Sequence, residues 1–399
     1  MTRFATLCVV LTCATLADAA DWPQWLGPDA NASSTELPAH MPAKKIIWRR
    51  PLMGKCHAGL AVAGGRLIVP DFGNQKDFFR CYEVETGKPL WDHSYPNAAE
   101  IEYTTAPRAT PLIADGLVYT LGAAGDLHCL SLDSGEIVWQ MNFPRRFEAH
   151  IPEYGYSSAP VIAGGKLIVK PGGPGASIAA LDPKTGSEVW KTPGAQAAYA
   201  GFLVGTFGGV EQVVTYDVES LGGWELASGK RLWKITPKNA GDYNVCTPVD
   251  TGGKVLVSSE NNGTILYGFE QGGKIIPQPL ATNDDLALDM ATPAIAGPYA
   301  FGTHSGLICI GLENGLETLW IDDEHESTWR FSNIITGNGR LLFVTEDGKM
   351  FLAAPTAQGA NILGSMDLCK DTWSHPAIAD GRLYIRDDRY LYCYKIGEP

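Results

Sequence analysis

Positive charge is scarce in this chain: 31 Lys and Arg stand against 44 Asp and Glu, a net charge of −13 over 399 residues. That balance repels polyanions and sets nucleic acid and anionic lipid aside as partners. Helical periodicity is scarce too. Beyond the first twenty residues hardly any stretch spaces apolar residues three and four apart, which excludes a helical core. Long apolar runs are missing as well. The run from Phe4 to Leu16 is too short to span a bilayer and stay there. It follows Arg3 and leads into Ala17-Asp18-Ala19, so residues 1–20 read as an export signal cleaved near Ala19 or Ala20. Thr12 precedes Cys13 where lipid attachment would want a small residue. The expectation is therefore a soluble exported chain, periplasmic or extracellular, without a membrane span.

Several catalytic signatures are also absent. Gly172-Gly173-Pro174-Gly175-Ala176-Ser177 has neither the lysine nor the following helix of a phosphate cradle and reads as a hairpin loop. No strand-turn-helix nucleophile elbow accompanies the serines, so a hydrolase has no support. No Cys-x-x-Cys-His is present for covalent haem, and no two cysteines are adjacent. The acidic run Asp322-Asp323-Glu324-His325-Glu326 reads as a solvated charged loop, and no metal is expected.

What the chain does have is a repeat. Glu85 to Trp91, Asp133 to Trp139, Lys184 to Trp190 and Ala227 to Trp233 end alike, in a Gly turn and a Trp, with the tryptophans 48, 51 and 43 residues apart. A period of roughly 40–50 residues with strand-like patterning is what a β-propeller produces. One unit shows the grammar: Thr110 to Ala114, turn, Leu117 to Leu121, turn, Leu127 to Leu132, turn, Glu136 to Gln140. Four antiparallel strands make one blade. Copies of the opening strand at Ala159, Thr247, Thr292 and His375, with weaker ones near Gly59, Gly201 and Asn333, bring the count to about eight. The last unit stops at Ile396 before its fourth strand, whereas Lys45 to Leu52 supplies a fourth strand with no first three. Pairing the two fragments hides the edges that an open ring would expose. The fold class is thus all-β: a single eight-bladed propeller over residues 46–399, after an extended, proline-rich lead-in at 21–45 lying on the surface.

Trp48, Trp91, Trp139, Trp190, Trp233 and Trp320 are read as a structural girdle, each indole buried between neighbouring blades with its N–H on a backbone carbonyl. Seven cysteines lie beyond the leader: Cys56, Cys81, Cys129, Cys246, Cys309, Cys369 and Cys393. An odd number forbids full pairing. Cys81, Cys129, Cys309 and Cys393 share one repeat position, occupied elsewhere by Ala180 and Ala353. They read as small core residues, since equivalent positions in separate blades are too far apart to bridge.

The unit Ala180-Leu181-Asp182-Pro183-Lys184-Thr185-Gly186-Ser187-Glu188-Val189-Trp190 resembles the tryptophan-docking repeat, A-x-D-x-x-T-G-x-x-x-W, of the pyrroloquinoline-quinone (PQQ) family of eight-bladed propellers. The resemblance covers about residues 46–396. It implies two trades: periplasmic PQQ-dependent alcohol and sugar dehydrogenases, or cofactor-free scaffolds such as the propeller subunit of the outer-membrane β-barrel assembly machinery. This chain resembles the second in length and lacks the vicinal disulfide that covers the quinone in the first. Its lead-in from Asp21 to Pro28 also resembles the mature start of exported PQQ-like propellers.

Propellers bind ligands where the loops entering the innermost strands converge. Those positions are His57, Arg108, Tyr156, Tyr199, Asn244, Asp289, Arg330 and Trp373, a candidate ring around one channel mouth. Only Asn244 and Asp289 among them suit the oxygen-rich shell of a calcium-bound quinone. The reading is a monomeric, non-catalytic binding or scaffold protein with a protein or glycan partner in the cell envelope, without catalytic residues and without a cofactor. The alternatives are a minimal oxidoreductase of alcohols or sugars, holding PQQ with calcium, and a carbohydrate-binding propeller.

Overall fold

A computed structural model describes residues 21–304, 306–323 and 331–397; the expected export signal lies outside them. Eight four-stranded antiparallel sheets follow one another around a ring, each with its strands in sequential order from the channel outward. Blades 1 to 8 cover residues 61–96, 112–142, 161–192, 203–235, 249–283, 294–322, 332–367 and 377–395. Blade 8 takes its fourth strand from Ile46–Pro51, which pairs antiparallel with Tyr390–Lys395 so that Trp48 faces Cys393 and Arg49 faces Tyr392. The ring is closed as the two sequence fragments required. The one described helix is a single turn, Phe143–Phe147.

The turns explain the glycines at the strand ends. Asp115-Gly116 and Asp380-Gly381 both sit at positive φ, the two-residue hairpin geometry that matches strand twist. At the outer turn, Gly87, Gly135, Gly186 and Gly229 each face the indole of the preceding blade. An added Cβ would come within 2.5, 2.6, 2.7 and 2.4 Å of it, respectively. Glycine is needed there for contact as well as for φ.

Trp48, Trp91, Trp139, Trp190 and Trp320 donate their indole N–H to the carbonyls of Val84, Leu132, Pro183, Leu226 and Thr356, all in the next blade. Trp233 differs: it donates to the Gln212 side chain of its own blade at 2.7 Å. Directly across the strand pair from each indole stands a small residue. Cys81 faces Trp91, Cys129 faces Trp139, Ala180 faces Trp190, Gly223 faces Trp233 and Cys309 faces Trp320. The shared cysteine position is therefore a steric one, and all seven described cysteines are unpaired.

A buried clamp reinforces the closing seam. Arg386 and Asp71, both 0% exposed, approach to 3.7 Å. Arg386 also donates to the carbonyls of Pro70 and Gly54, and Asp71 accepts from the Met53 amide, just past the closing strand.

The lead-in departs from the surface strap that its prolines suggest. Trp22, Leu26 and Leu37 are buried, and Trp22 exchanges two backbone hydrogen bonds of 2.8 Å with Val62. Trp25 donates to Thr247 Oγ1 at 3.2 Å and packs edge-on to His375, ring centres 5.1 Å apart. It also covers Gly201 so closely that a Cβ there would lie 3.2 Å from the indole. Gly201 leads into blade 4 and His375 into blade 8, on opposite sides of the ring, so this indole lies across the channel. Proline spacing did not report the turns at 25–30 or the two tryptophans that carry the chain inward.

Candidate functional site

The lead-in rests on the turns between first and second strands: Asn338 donates to the carbonyls of Thr35 and Leu37, and the Gly381 amide donates to Glu36. The lead-in thus covers that face at blades 7 and 8. The loops that join one blade to the next open on the other face, and there the aromatic side chains gather.

Trp373, entering blade 8, packs on His57, entering blade 1, with ring centres 4.7 Å apart. Tyr103, in the loop between blades 1 and 2, meets Trp373 edge-on at 5.9 Å and stacks on Tyr154 at 5.5 Å and 23°. Tyr154 touches Tyr199 and Tyr243, at 5.7 and 5.1 Å. Its hydroxyl donates to that of Tyr243, and its backbone N–H donates to the Tyr199 hydroxyl at 3.1 Å. The result is a connected aromatic arc running from blade 8 around to the loop before blade 5. Tyr103 is 65% exposed and Tyr243 48%, so the arc presents ring faces to the outside.

Arg108 supports it from below. Its guanidinium donates to His57 Nδ1 at 3.1 Å, to Thr104 O at 2.9 Å and to Glu102 O. Burial, with the nearby cations of Arg108 and Lys55, pushes the imidazole down to about 3. A neutral His57 is the form that can accept from Arg108. Beside Trp373 opens an acidic cavity of about 360 Å³, with Glu346, Asp347, Asp371 and Asp388 among its walls and Lys55 over the indole face at 5.8 Å. Burial raises the Asp388 carboxyl above its ordinary value.

Of the residues expected at the mouth, His57, Arg108, Tyr199 and Trp373 come together in this arrangement. Tyr156 stands elsewhere: it is 2% exposed, packs on Phe143 and donates to the carbonyls of His150 and Pro171. Its place two residues after Tyr154 puts it on the core side of the chain. Asn244 is buried, in left-handed backbone at φ 54°, and its side-chain N–H donates to Asp217 O at 3.1 Å. Asp289 is half-buried before blade 6, its carbonyl 3.9 Å from the Cys246 thiol. Arg330 lies outside the described residues, as does the centre of the acidic run after Asp323.

Sequence reasoning missed Tyr103, Tyr154 and Tyr243. The signal was an acid–tyrosine pair in three inter-blade loops, Glu102-Tyr103, Glu153-Tyr154 and Asp242-Tyr243. The strand-anchored offsets passed over it because these loops differ in length.

A calcium-bound quinone would need carboxylate and amide oxygens converging on one point. The Asn244 side-chain N–H holds the Asp217 loop, while its buried amide oxygen has no hydrogen-bond partner among the described residues. Among the described residues no group of three His, Cys, Asp or Glu is placed to hold a metal ion. Among the described residues no helix is long and apolar enough to cross a membrane.

A family profile described as outer membrane protein assembly factor BamB matches residues 80–321. No curated protein matches the sequence. Among solved structures, BamB from Moraxella catarrhalis is 15% identical, with a TM-score of 0.63, over 88% of this chain and 100% of that one. Quinohemoprotein alcohol dehydrogenase from Comamonas testosteroni is 13% identical, with a TM-score of 0.67, over 95% of this chain and 81% of that one. A europium-containing methanol dehydrogenase is 11% identical, with a TM-score of 0.68, over 94% and 98%. At these identities the likenesses show the shared propeller fold.

Proposed function

The chain belongs to the family described as outer membrane protein assembly factor BamB, and on that premise we propose that it is an exported, non-catalytic propeller that binds another protein in the cell envelope. Residues 1–20 would be removed near Ala19 or Ala20, leaving a soluble propeller in the periplasm or outside the cell.

The observation that carries this reading is the asymmetry of the two channel faces. One carries the lead-in on the turns of blades 7 and 8, from which Trp25 reaches across the channel. The other presents the aromatic arc, with Met53, Ile151, Val218 and Met290 between 41% and 47% exposed in loops of that face. Exposed aromatic and methionine side chains clustered on one face are the composition of a protein-binding patch. Tyrosines held in place by one another lose little side-chain freedom on binding.

Two experiments test it. The purified protein is used to capture partners from native envelope extract, beside a Tyr103→Asp, Tyr243→Asp double variant with unchanged circular dichroism. A partner retained by the native protein and lost by the variant is expected; equal retention by both would place binding elsewhere. Separately, the protein is incubated with PQQ and Ca²⁺ and assayed for dye reduction with alcohols and aldoses. Turnover there would refute a non-catalytic role.

A further inference from the structure

Regular docking fails at the seam that follows Trp233. Trp233 ends blade 4, but no Gly turn of the repeat type awaits it in blade 5. The chain from 268 to 280 makes a longer excursion, with Phe269 stacking on Phe207 at 4.8 Å and meeting Trp233 edge-on at 5.7 Å. Gln212 relays the lost hydrogen bond: it accepts from the Trp233 indole and donates to Gly273 O at 2.8 Å. That relay closes one end of the seam. The other end stays open as a cleft of about 490 Å³ between blades 4 and 5, within the usual small-molecule range of roughly 300–1,000 Å³.

The walls of the cleft are specific. Tyr216 and Tyr267 line it, each only 6% exposed. Neither hydroxyl is hydrogen-bonded to a described residue, and neither is a buried unpartnered atom, so both reach solvent at the cleft. Pro277 and Pro279 wall it from the excursion. The rim is a locked amide network. Asn239 donates to Asn261 O at 2.7 Å, Asn262 donates to Asn239 O at 3.0 Å, and Asp242 accepts from both Asn261 and Asn262. This ties the loop leaving blade 4 to a turn of blade 5. Lys238 and Asp284 are the charged members of the lining among the described residues, one of each sign.

We propose that the cleft between blades 4 and 5 is a binding site for a neutral, hydroxyl-rich ligand of the saccharide class. Tyrosine rings and prolines supply the apolar faces on which a pyranose ring packs, and the two solvent-facing phenols with the amide rim supply donors and acceptors for its hydroxyls. An apolar occupant would leave both phenols without partners. The balanced pair of charges favours neither a polyanion nor a polycation. The site is separate from the aromatic arc, so its test stands apart from that of the protein-binding reading.

Saturation-transfer difference NMR on the purified protein with maltose, cellobiose and chitobiose reads the site. Transfer from at least one of the three is expected. Thr282→Trp, on the exposed outermost strand of blade 5 and in the lining, should abolish it, with an unchanged melting temperature as the check on folding. Tyr267→Phe keeps the ring, removes the hydroxyl and should weaken binding by roughly tenfold. Silence from all three sugars overturns the proposal. So does transfer that Thr282→Trp leaves intact, or occupation of the cleft by a proline-rich peptide while the sugars stay silent.

Discussion

The seam between blades 3 and 4 and the seam between blades 4 and 5 are built from the same strand order and hold together differently. In the first, Trp190 reaches directly into blade 4, its N–H on Leu226 O and its ring beneath Gly229. In the second, Trp233 stays within its own blade, Gln212 makes the crossing, and a cleft remains. The seam that lost its docking partner keeps the ring closed through an amide relay and gains a cavity lined by two solvent-facing phenols.

The sharpest way to break the comparison is to remove the docked indole. Trp190→Ala deletes a ring that is 8% exposed together with its hydrogen bond. It should cost about 3–5 kcal/mol, read as a lowered urea midpoint with an unchanged slope. Loss of less than about 1 kcal/mol would mean the seam does not depend on docking.

Next in size come the turn glycines. Gly229→Ala introduces a Cβ 2.4 Å from the Trp190 ring at φ 73°, so backbone strain and overpacking add to roughly 2–4 kcal/mol. Gly272→Ala, at φ 88° with nothing within 4 Å, carries the strain alone, about 1 kcal/mol. Equal costs for the two, measured by thermal melts, would show that indole contact is not what distinguishes the seams.

How much of this was legible beforehand depends on which residues carried it. The repeat reported the blades, their number and the closing strand, because a Gly turn followed by Trp is a local signal with a fixed offset. Strand-first offsets also led to His57, Arg108, Tyr199 and Trp373. They misled at Tyr156, since moving two residues along an irregular loop exchanges mouth for core. The small residue opposite each Trp was visible as a pattern of Cys and Ala, but its cause, the indole directly across the strand pair, is a cross-strand fact. The inward course of Trp22 and Trp25 was not legible either, because their partners Val62, Thr247 and His375 are distant in sequence.

The seam between blades 1 and 2 offers a pH test. His93, Tyr95 and His128 cluster there, with His128 4.5 Å from Tyr95 and 4.8 Å from His93 between ring centres. Buried Asp77 accepts from Asn97 at 3.0 Å. Burial, with His93 adding to it, lowers His128 to about 4, and burial also lowers His93. Burial raises Asp77 to about 7, against the hydrogen bonds of Asn97 and Tyr95, with Asp126 adding to the rise. A histidine depressed in the folded state gives stability that is full above about 6.5 and is lost as pH falls toward 4. A carboxyl raised in the folded state gives stability that is full below about 4 and is lost as pH climbs through 7. Each contributes on the order of 1–2 kcal/mol, in opposite directions. His128→Gln should therefore flatten the acid side of the stability profile between pH 6.5 and 4. Asp77→Asn should remove the decline between pH 4 and 7. Profiles for both variants parallel to the native one would locate the titrating groups elsewhere.

The smallest effect belongs to the outer surface of the docked seam itself. Lys191 follows Trp190 and holds Glu188 at 3.1 Å, with their side chains 44% and 27% exposed. Water and salt screen such a pair, and ordering two long side chains offsets most of the attraction. Lys191→Ala should cost about 0–1 kcal/mol, with the difference vanishing in high salt. Because Lys191 and Trp190 are adjacent yet differ so much in expected cost, measuring both on one strand separates the contribution of position on the seam from that of inward docking. A Lys191→Ala loss comparable to that of Trp190→Ala would mean the outer strand acts as a cooperative whole, and the contrast between the two seams would then lie in strand pairing, not in where the indole points.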